Sequence, residues 1–158
     1  FTDKGIPTEA IDELTNSWSG AYPENRSPHI DSLTFNANGE FLNTIVKAGS
    51  KNEVVLYASD MNDDQLNYNW ELYPESSDLK TGGDAEDKPP MIIGKIRGSK
   101  TASITLKAPM TEGRYRLYVF ADDGEKMAYM NIPFYVQMGS EEEMNRVRFK
   151  SQSMKVYE

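Results

Sequence analysis

Five carboxylates fall in two short segments of this chain. Asp60, Asp63 and Asp64 follow Ser59, and Asp122 and Asp123 precede Gly124. A hard cation such as Ca²⁺ takes about six to eight oxygen ligands at roughly 2.3–2.6 Å. The five would suit calcium if both segments are loops at the same end of a domain. A second reading needs no metal. Asp and Asn populate turns because their side chains stand in for backbone hydrogen-bond partners, and the spacing here is not that of an EF-hand loop. The expectation is no cofactor, with Ca²⁺ as the alternative.

A second constellation is aromatic. In Gln65–Tyr73, strand alternation places Tyr73 on one face with Asn67, Asn69 and Glu71, opposite Leu66, Tyr68, Trp70 and Leu72. In Arg114–Ala121 the same alternation sets Tyr118 and Phe120 opposite Tyr115, Leu117 and Val119. Further on, Met130, Ile132 and Phe134 alternate with Tyr129, Asn131, Pro133 and Tyr135, and one set must face away from the core. Tyr73, Tyr118 and Phe120, with Asn69 and Glu71, thus form a candidate outer face. Flat rings among polar side chains can stack a sugar and hydrogen-bond its hydroxyls. The same patch can dock a neighbouring domain or the N-terminal helix, because exposed apolar patches usually mark interfaces. Trp70 reads as a core plug between sheets, with sugar stacking as its alternative. The loop Pro74–Pro90 is longer than the ~12–15 residues usual for connections and reads as a recognition loop or an ordered surface loop. Its net negative charge disfavours phosphate, and its glycines fit no nucleotide-binding pattern.

Resources for catalysis are thin. His29, the one histidine, sits beside Pro28 and reads as a solvated edge residue. Serines have no nearby histidine to activate them. Asp and Glu total 25, enough to supply a glycosidase pair by number, yet they concentrate in loops where solvated charge is the default. The expectation is a non-enzyme. Cysteine is absent, which removes disulfides, thiolate catalysis and sulfur-ligated metals together. A net charge of −8 argues against nucleic acid and anionic membranes, whose recognition needs clustered Lys and Arg. No apolar run approaches the ~18 residues of a membrane span. The start at Phe1, with no Met and no signal peptide, reads as a piece of something larger.

The elements that must position these residues are mostly strands. Gly113–Gly124 reads as a turn, a two-faced strand and an Asp-Gly turn that tolerates positive φ. Other expected strands are His29–Asn36, Phe41–Val46, Glu53–Ser59, Gln65–Tyr73, Met91–Ile96, Ser103–Ala108 and Met127–Met138. Seven or eight strands with turns every 8–12 residues predict an all-β, antiparallel, immunoglobulin-like β-sandwich over 28–138. The Gly113-x-Tyr115-x-Leu117 start matches its tyrosine corner, whose hydroxyl bonds back to upstream backbone. Residues 1–27 read as an arm. Thr8 caps a short helix through Glu9–Leu14, and Ile11, Leu14 and Trp18 give it one apolar stripe. That stripe must bury against the sandwich or an upstream domain. Ser19–Pro28 reads as a connector. The polar tail, 139–158, has some strand character around Val147, Phe149, Met154 and Val156.

Val54–Trp70 (VVLYASDMNDDQLNYNW) resembles the Asp-rich block of polycystic-kidney-disease (PKD) and cadherin-like bacterial sandwich domains, and EGRYRLYVFADDGEKMAYMNIPFYV resembles their closing hairpin. More narrowly, WSGAYPENRSP, WELYPESSDLKTGGDAEDKP and NIPFYV look like the C-terminal accessory domain of multidomain bacterial glycoside hydrolases with a family 2-type TIM barrel. The match covers roughly residues 15–138. It implies a non-catalytic module that packs against or spaces a catalytic domain, in an exported, periplasmic or extracellular protein, with the catalytic domain or a glycan as partner. The alternative it leaves is a carbohydrate-binding module. Where the PKD-like pattern often has Asp-Pro-Asp-Gly-Asp, this chain has Asp60-Met61-Asn62-Asp63-Asp64, a departure that counts against a metal.

Overall fold

The computed structural model describes residues 5–37, 44–76 and 89–139. The expectations for Phe41–Asn43, for most of the Pro74–Pro90 loop and for the tail past Gly139 fall outside those residues. The chain order is α1 (Glu9–Ser19), β1 (His29–Phe35), β2 (Ile45–Lys47), β3 (Lys51–Ser59), β4 (Asn67–Pro74), β5 (Ile96–Arg97), β6 (Ser103–Lys107), β7 (Gly113–Asp122) and β8 (Met127–Gln137).

The strands form two four-stranded sheets, ordered β1-β3-β6-β5 and β2-β8-β7-β4. With β2 set aside, these are the four- and three-stranded sheets of an immunoglobulin-like sandwich, so the expected fold class stands. Alternation decides which residues meet between the sheets. β7 runs exposed or half-buried at every second residue, while Tyr115, Leu117, Val119 and Ala121 are buried. β8 resolves in the same way: Ile132, Phe134 and Val136 go inward, leaving Tyr129, Asn131, Pro133 and Tyr135 on the outer face. Trp70 is a core residue, 4% exposed, with its indole N–H donating to the Thr101 carbonyl at 2.9 Å. Tyr115 makes the expected corner: its hydroxyl donates to the Thr111 carbonyl at 2.8 Å, and its ring stacks on Phe134 at 5.8 Å between centroids. Gly124 has φ +103° in the turn after β7, the conformation that made glycine the readable signal there.

Three local expectations need correction. β2 is parallel to β8, with Ile45 opposite Tyr135 and Lys47 opposite Gln137, so the sandwich is not wholly antiparallel. β1 and β2 lie in different sheets, and no local pattern encodes that pairing. The strand expected over Met91–Ile96 shrinks to Ile96–Arg97, because Gly94 at φ +74° breaks the extended run. The helix, expected to end near Leu14, continues to Ser19 and stops at Gly20 in the left-handed region, whose N–H donates to the Asn16 carbonyl. Thr8 occupies the N-cap position, and its carbonyl rather than its side chain makes the first bond, accepting from the Ile11 N–H at 2.7 Å. Among the described residues, no helix is long and apolar enough to cross a membrane.

Candidate functional site

The register of β4 on β7 puts Asn69 opposite Phe120, Glu71 opposite Tyr118 and Tyr73 opposite Arg116. All five residues of the expected outer face therefore share one surface. They are not equally available. Tyr73 is only 9% exposed, held edge-on to Tyr118 at 5.8 Å between centroids, with its hydroxyl donating to Glu71 Oε2 at 2.8 Å. Tyr118 and Phe120 are half-buried, and Phe120 leans on the exposed Tyr129 at 6.3 Å. A cleft of about 390 Å³ opens over this surface, lined by Glu71, Tyr73, Glu75, Arg116, Tyr118 and Phe120, with Pro74, Ser76 and Pro89 at its rim. Arg116 was not among the residues expected to matter. Its guanidinium bridges Glu75 Oε1 at 2.8 Å and Asn131 Oδ1 at 2.7 Å. Its place on the outer set of β7 was the available signal. Asn69 stands just outside, donating to Glu71 Oε1 at 3.2 Å and accepting from Lys100 Nζ at 3.1 Å.

The two acidic segments do reach one end of the sandwich, but their carboxylates serve the backbone. Asp60 Oδ1 accepts from the N–H groups of Asn62 and Asp64 at 2.8 and 3.2 Å. Asp122 Oδ1 accepts from Gly124 N–H, and Asp123 Oδ1 from those of Glu125 and Lys126, each at 2.7 Å. Asp63 takes φ +60°, a left-handed position that Asp tolerates. The connector also enters between the segments: Arg26 N–H donates to Asn62 Oδ1 at 2.8 Å, Asn62 Nδ2 to the Glu24 carbonyl at 2.9 Å, and Asn25 Nδ2 to Glu125 Oε2 at 3.2 Å. Among the described residues, no three His, Asp or Glu side chains are grouped to hold a metal ion. The carboxylates of Asp60, Asp122 and Asp123 thus act as turn acceptors, while Asp64 contributes its N–H to Asp60.

What the sequence did not reveal is the joint beneath that end. Asp12, in the first turn of α1, is fully buried. Its Oδ1 takes the Lys126 ammonium at 2.6 Å, and its Oδ2 accepts the Ser27 N–H at 2.6 Å with Arg26 Nε 3.6 Å away. Lys126 also donates to the Asn25 carbonyl, and the Pro7 carbonyl accepts from Met127 N–H at 3.1 Å. Burial pushes the Asp12 carboxyl up. Hydrogen bonds from Lys126 and Ser27 and the adjacent ammonium charge outweigh it, holding Asp12 below its ordinary value. The arm is thus fixed to the β7–β8 hairpin by charge.

This overturns half of the expectation for the helix. Of the stripe, Ile11 is half-buried, but Leu14 and Trp18 do not bury against the sandwich. Leu14 is 44% exposed and Trp18 83%, because the Asp12 side of α1 is the side turned inward. Tyr22 continues the apolar surface, its ring beneath the Arg26 guanidinium at 3.7 Å. His29 is exposed, with Nδ1 3.1 Å from Glu9 Oε1, in keeping with an edge residue.

No family model matches the chain, and no curated protein matches it. Among solved structures it is similar to a chimeric titin Z1Z2 functionalized with an exogenous decorin peptide (17% identity, 74% of this chain and 100% of that one, TM-score 0.39). It is similar also to titin domains Z1Z2 in complex with telethonin (15% identity, 75% and 51%, TM-score 0.37). An endo-β-1,4-mannanase from Thermotoga petrophila is a third (10% identity, 80% of this chain and 22% of that one, TM-score 0.36). Likeness at this level leaves the fold resting on its own strand order.

Proposed function

We propose that this chain is a non-catalytic accessory module of an exported glycan-degrading enzyme, and that it holds a catalytic domain in place. The observation that carries the reading is the helix. α1 is pinned to the sandwich through buried Asp12, while Leu14 and Trp18 project from it into solvent. A mobile tail would hide such side chains against the nearest apolar surface, whereas a fixed helix presents them at one angle, as a mount does. The sequence resemblance supplies the partner class, a glycosidase barrel. The reading assigns no chemical step to this chain.

The test is a photo-crosslinking residue in place of Trp18 in the full-length protein as its organism makes it, with Tyr57 on the opposite sheet as control. Cross-links from position 18 that map to a glycosidase catalytic domain, with few from position 57, are the expected result. Equal yields at both positions would refute the mount.

A second reading, a carbohydrate-binding module, is favoured by a separate observation. The outer-face cleft combines two partly open rings, Tyr118 and Phe120, with the hydrogen-bonding groups of Glu71, Glu75 and Arg116. Its volume of about 390 Å³ lies within the roughly 300–1,000 Å³ of small-molecule sites.

A further inference from the structure

We propose that the cleft over β4 and β7 selects glycans by charge, taking neutral or amino-bearing sugar units and rejecting glycuronates. The inference rests on the carbohydrate-binding reading of that cleft. Among the described residues, three charged side chains line it: Glu71, Glu75 and Arg116. Arg116 is committed to Glu75, with Nε and a terminal guanidinium nitrogen each 2.8 Å from Glu75 Oε1. The two charges therefore cancel locally. Glu71 has only neutral partners: the Tyr73 hydroxyl at 2.8 Å and Asn69 Nδ2 at 3.2 Å. Lys100 contacts the far atom of Asn69, Oδ1, and does not line the cleft. Among the described residues, one negative charge is thus left facing the ligand space of a partly enclosed site.

The rings complete the selection. Tyr118 lies across from Glu71 in the register and lines the cleft with it, so a ring and a carboxylate bound the same space. The negative face of an aromatic ring favours C–H groups and cations and disfavours anions. A carboxylate accepts from sugar hydroxyls or an ammonium but repels a uronate. Ring and carboxylate thus disfavour the same ligand class. The whole chain, at −8, adds a long-range field of the same sign.

Matched oligosaccharides test this on the intact chain: cellohexaose, its fully oxidised glucuronate counterpart, N-acetylglucosamine hexamer and glucosamine hexamer. Dissociation constants and the ring-proton shifts of Tyr118 and Phe120 are followed by NMR at low salt. At least one neutral or amino sugar is expected to shift both rings, with the uronate about tenfold weaker or more. Glu71→Gln, checked for an unchanged amide spectrum, should narrow that gap to about threefold or less. A uronate that binds as tightly as its neutral match, or a gap that survives Glu71→Gln, overturns charge selection and leaves the binding reading in place. No binding of any of the four at millimolar concentration overturns both.

Discussion

Between the sheets, Leu33, Leu72, Leu106, Leu117 and Ile132 meet with at most 1% of their surface exposed. Between the helix and the sandwich, the buried contact is Asp12 on Lys126, Ser27 and Arg26. The first interface is apolar, broad and non-directional, and it holds through the area it removes from water. The second is small and directional, because a carboxylate with fixed donors has few acceptable geometries. The contrast separates two tasks. Apolar burial makes the domain stable, and buried charge fixes the angle at which the arm leaves it.

Leu72→Ala should produce the largest loss, about 2–5 kcal/mol by urea unfolding, from lost burial and a cavity between the sheets. A loss under about 1 kcal/mol would mean that the core is looser than it looks. Lys126→Met should act differently. Asp12 would keep the Ser27 N–H and Arg26 at 3.6 Å but lose its close ammonium. Breaking a buried pair costs up to about 3–5 kcal/mol if nothing moves, so the arm has reason to swing out and hydrate the carboxylate. The expected signature is loss of hydrogen-exchange protection at the Ser27 amide with the Leu117 amide unaffected. Protection retained at Ser27 would show that the joint does not depend on the ion pair.

Acid sharpens the same contrast. Because the Asp12 pKa is lowered on folding, its stabilisation is fully present above the unfolded value, about 3.9. It is lost as pH falls through the lower folded value. Acid titration below about pH 4 should therefore release the arm before the core, and Asp12→Asn should lack that step. Tyr115→Phe should have the smallest effect, about 1 kcal/mol, by deleting the bond to the Thr111 carbonyl while keeping the stacking on Phe134.

The same two interfaces differ in how far they could be read in advance. The sandwich was legible because its code is local: alternation in β7, Tyr115 two residues after Gly113, Trp70 between Tyr68 and Leu72. The joint was not, because it pairs residues 114 positions apart. An Asp in the first turns of a helix is more simply read as favouring the helix dipole. Leu14 and Trp18 pointed the wrong way for a related reason: an apolar stripe announces a contact without naming its partner. The outer face stood between these cases. Its membership followed from strand period, but the near-burial of Tyr73 and the Arg116–Glu75 bridge depend on packing that alternation does not encode. The two acidic segments lie at one end, with Asn67 beside Asp122 in the register. The occupation of Asp60, Asp122 and Asp123 with turn amides follows from the short span of the Asp side chain.

The parallel pairing of β2 with β8 has a mechanical consequence. β2 runs alongside β8 in the same direction, so the start of β2 and the far end of β8 lie at opposite ends of their shared patch. Tension applied at the start of β2 and at the far end of β8 would slide one strand along the other, loading their shared hydrogen bonds together. A hairpin pulled from its open end would instead release its bonds one at a time. A short patch of three residues on each strand thus resists a pull along the strands more than one that peels them apart.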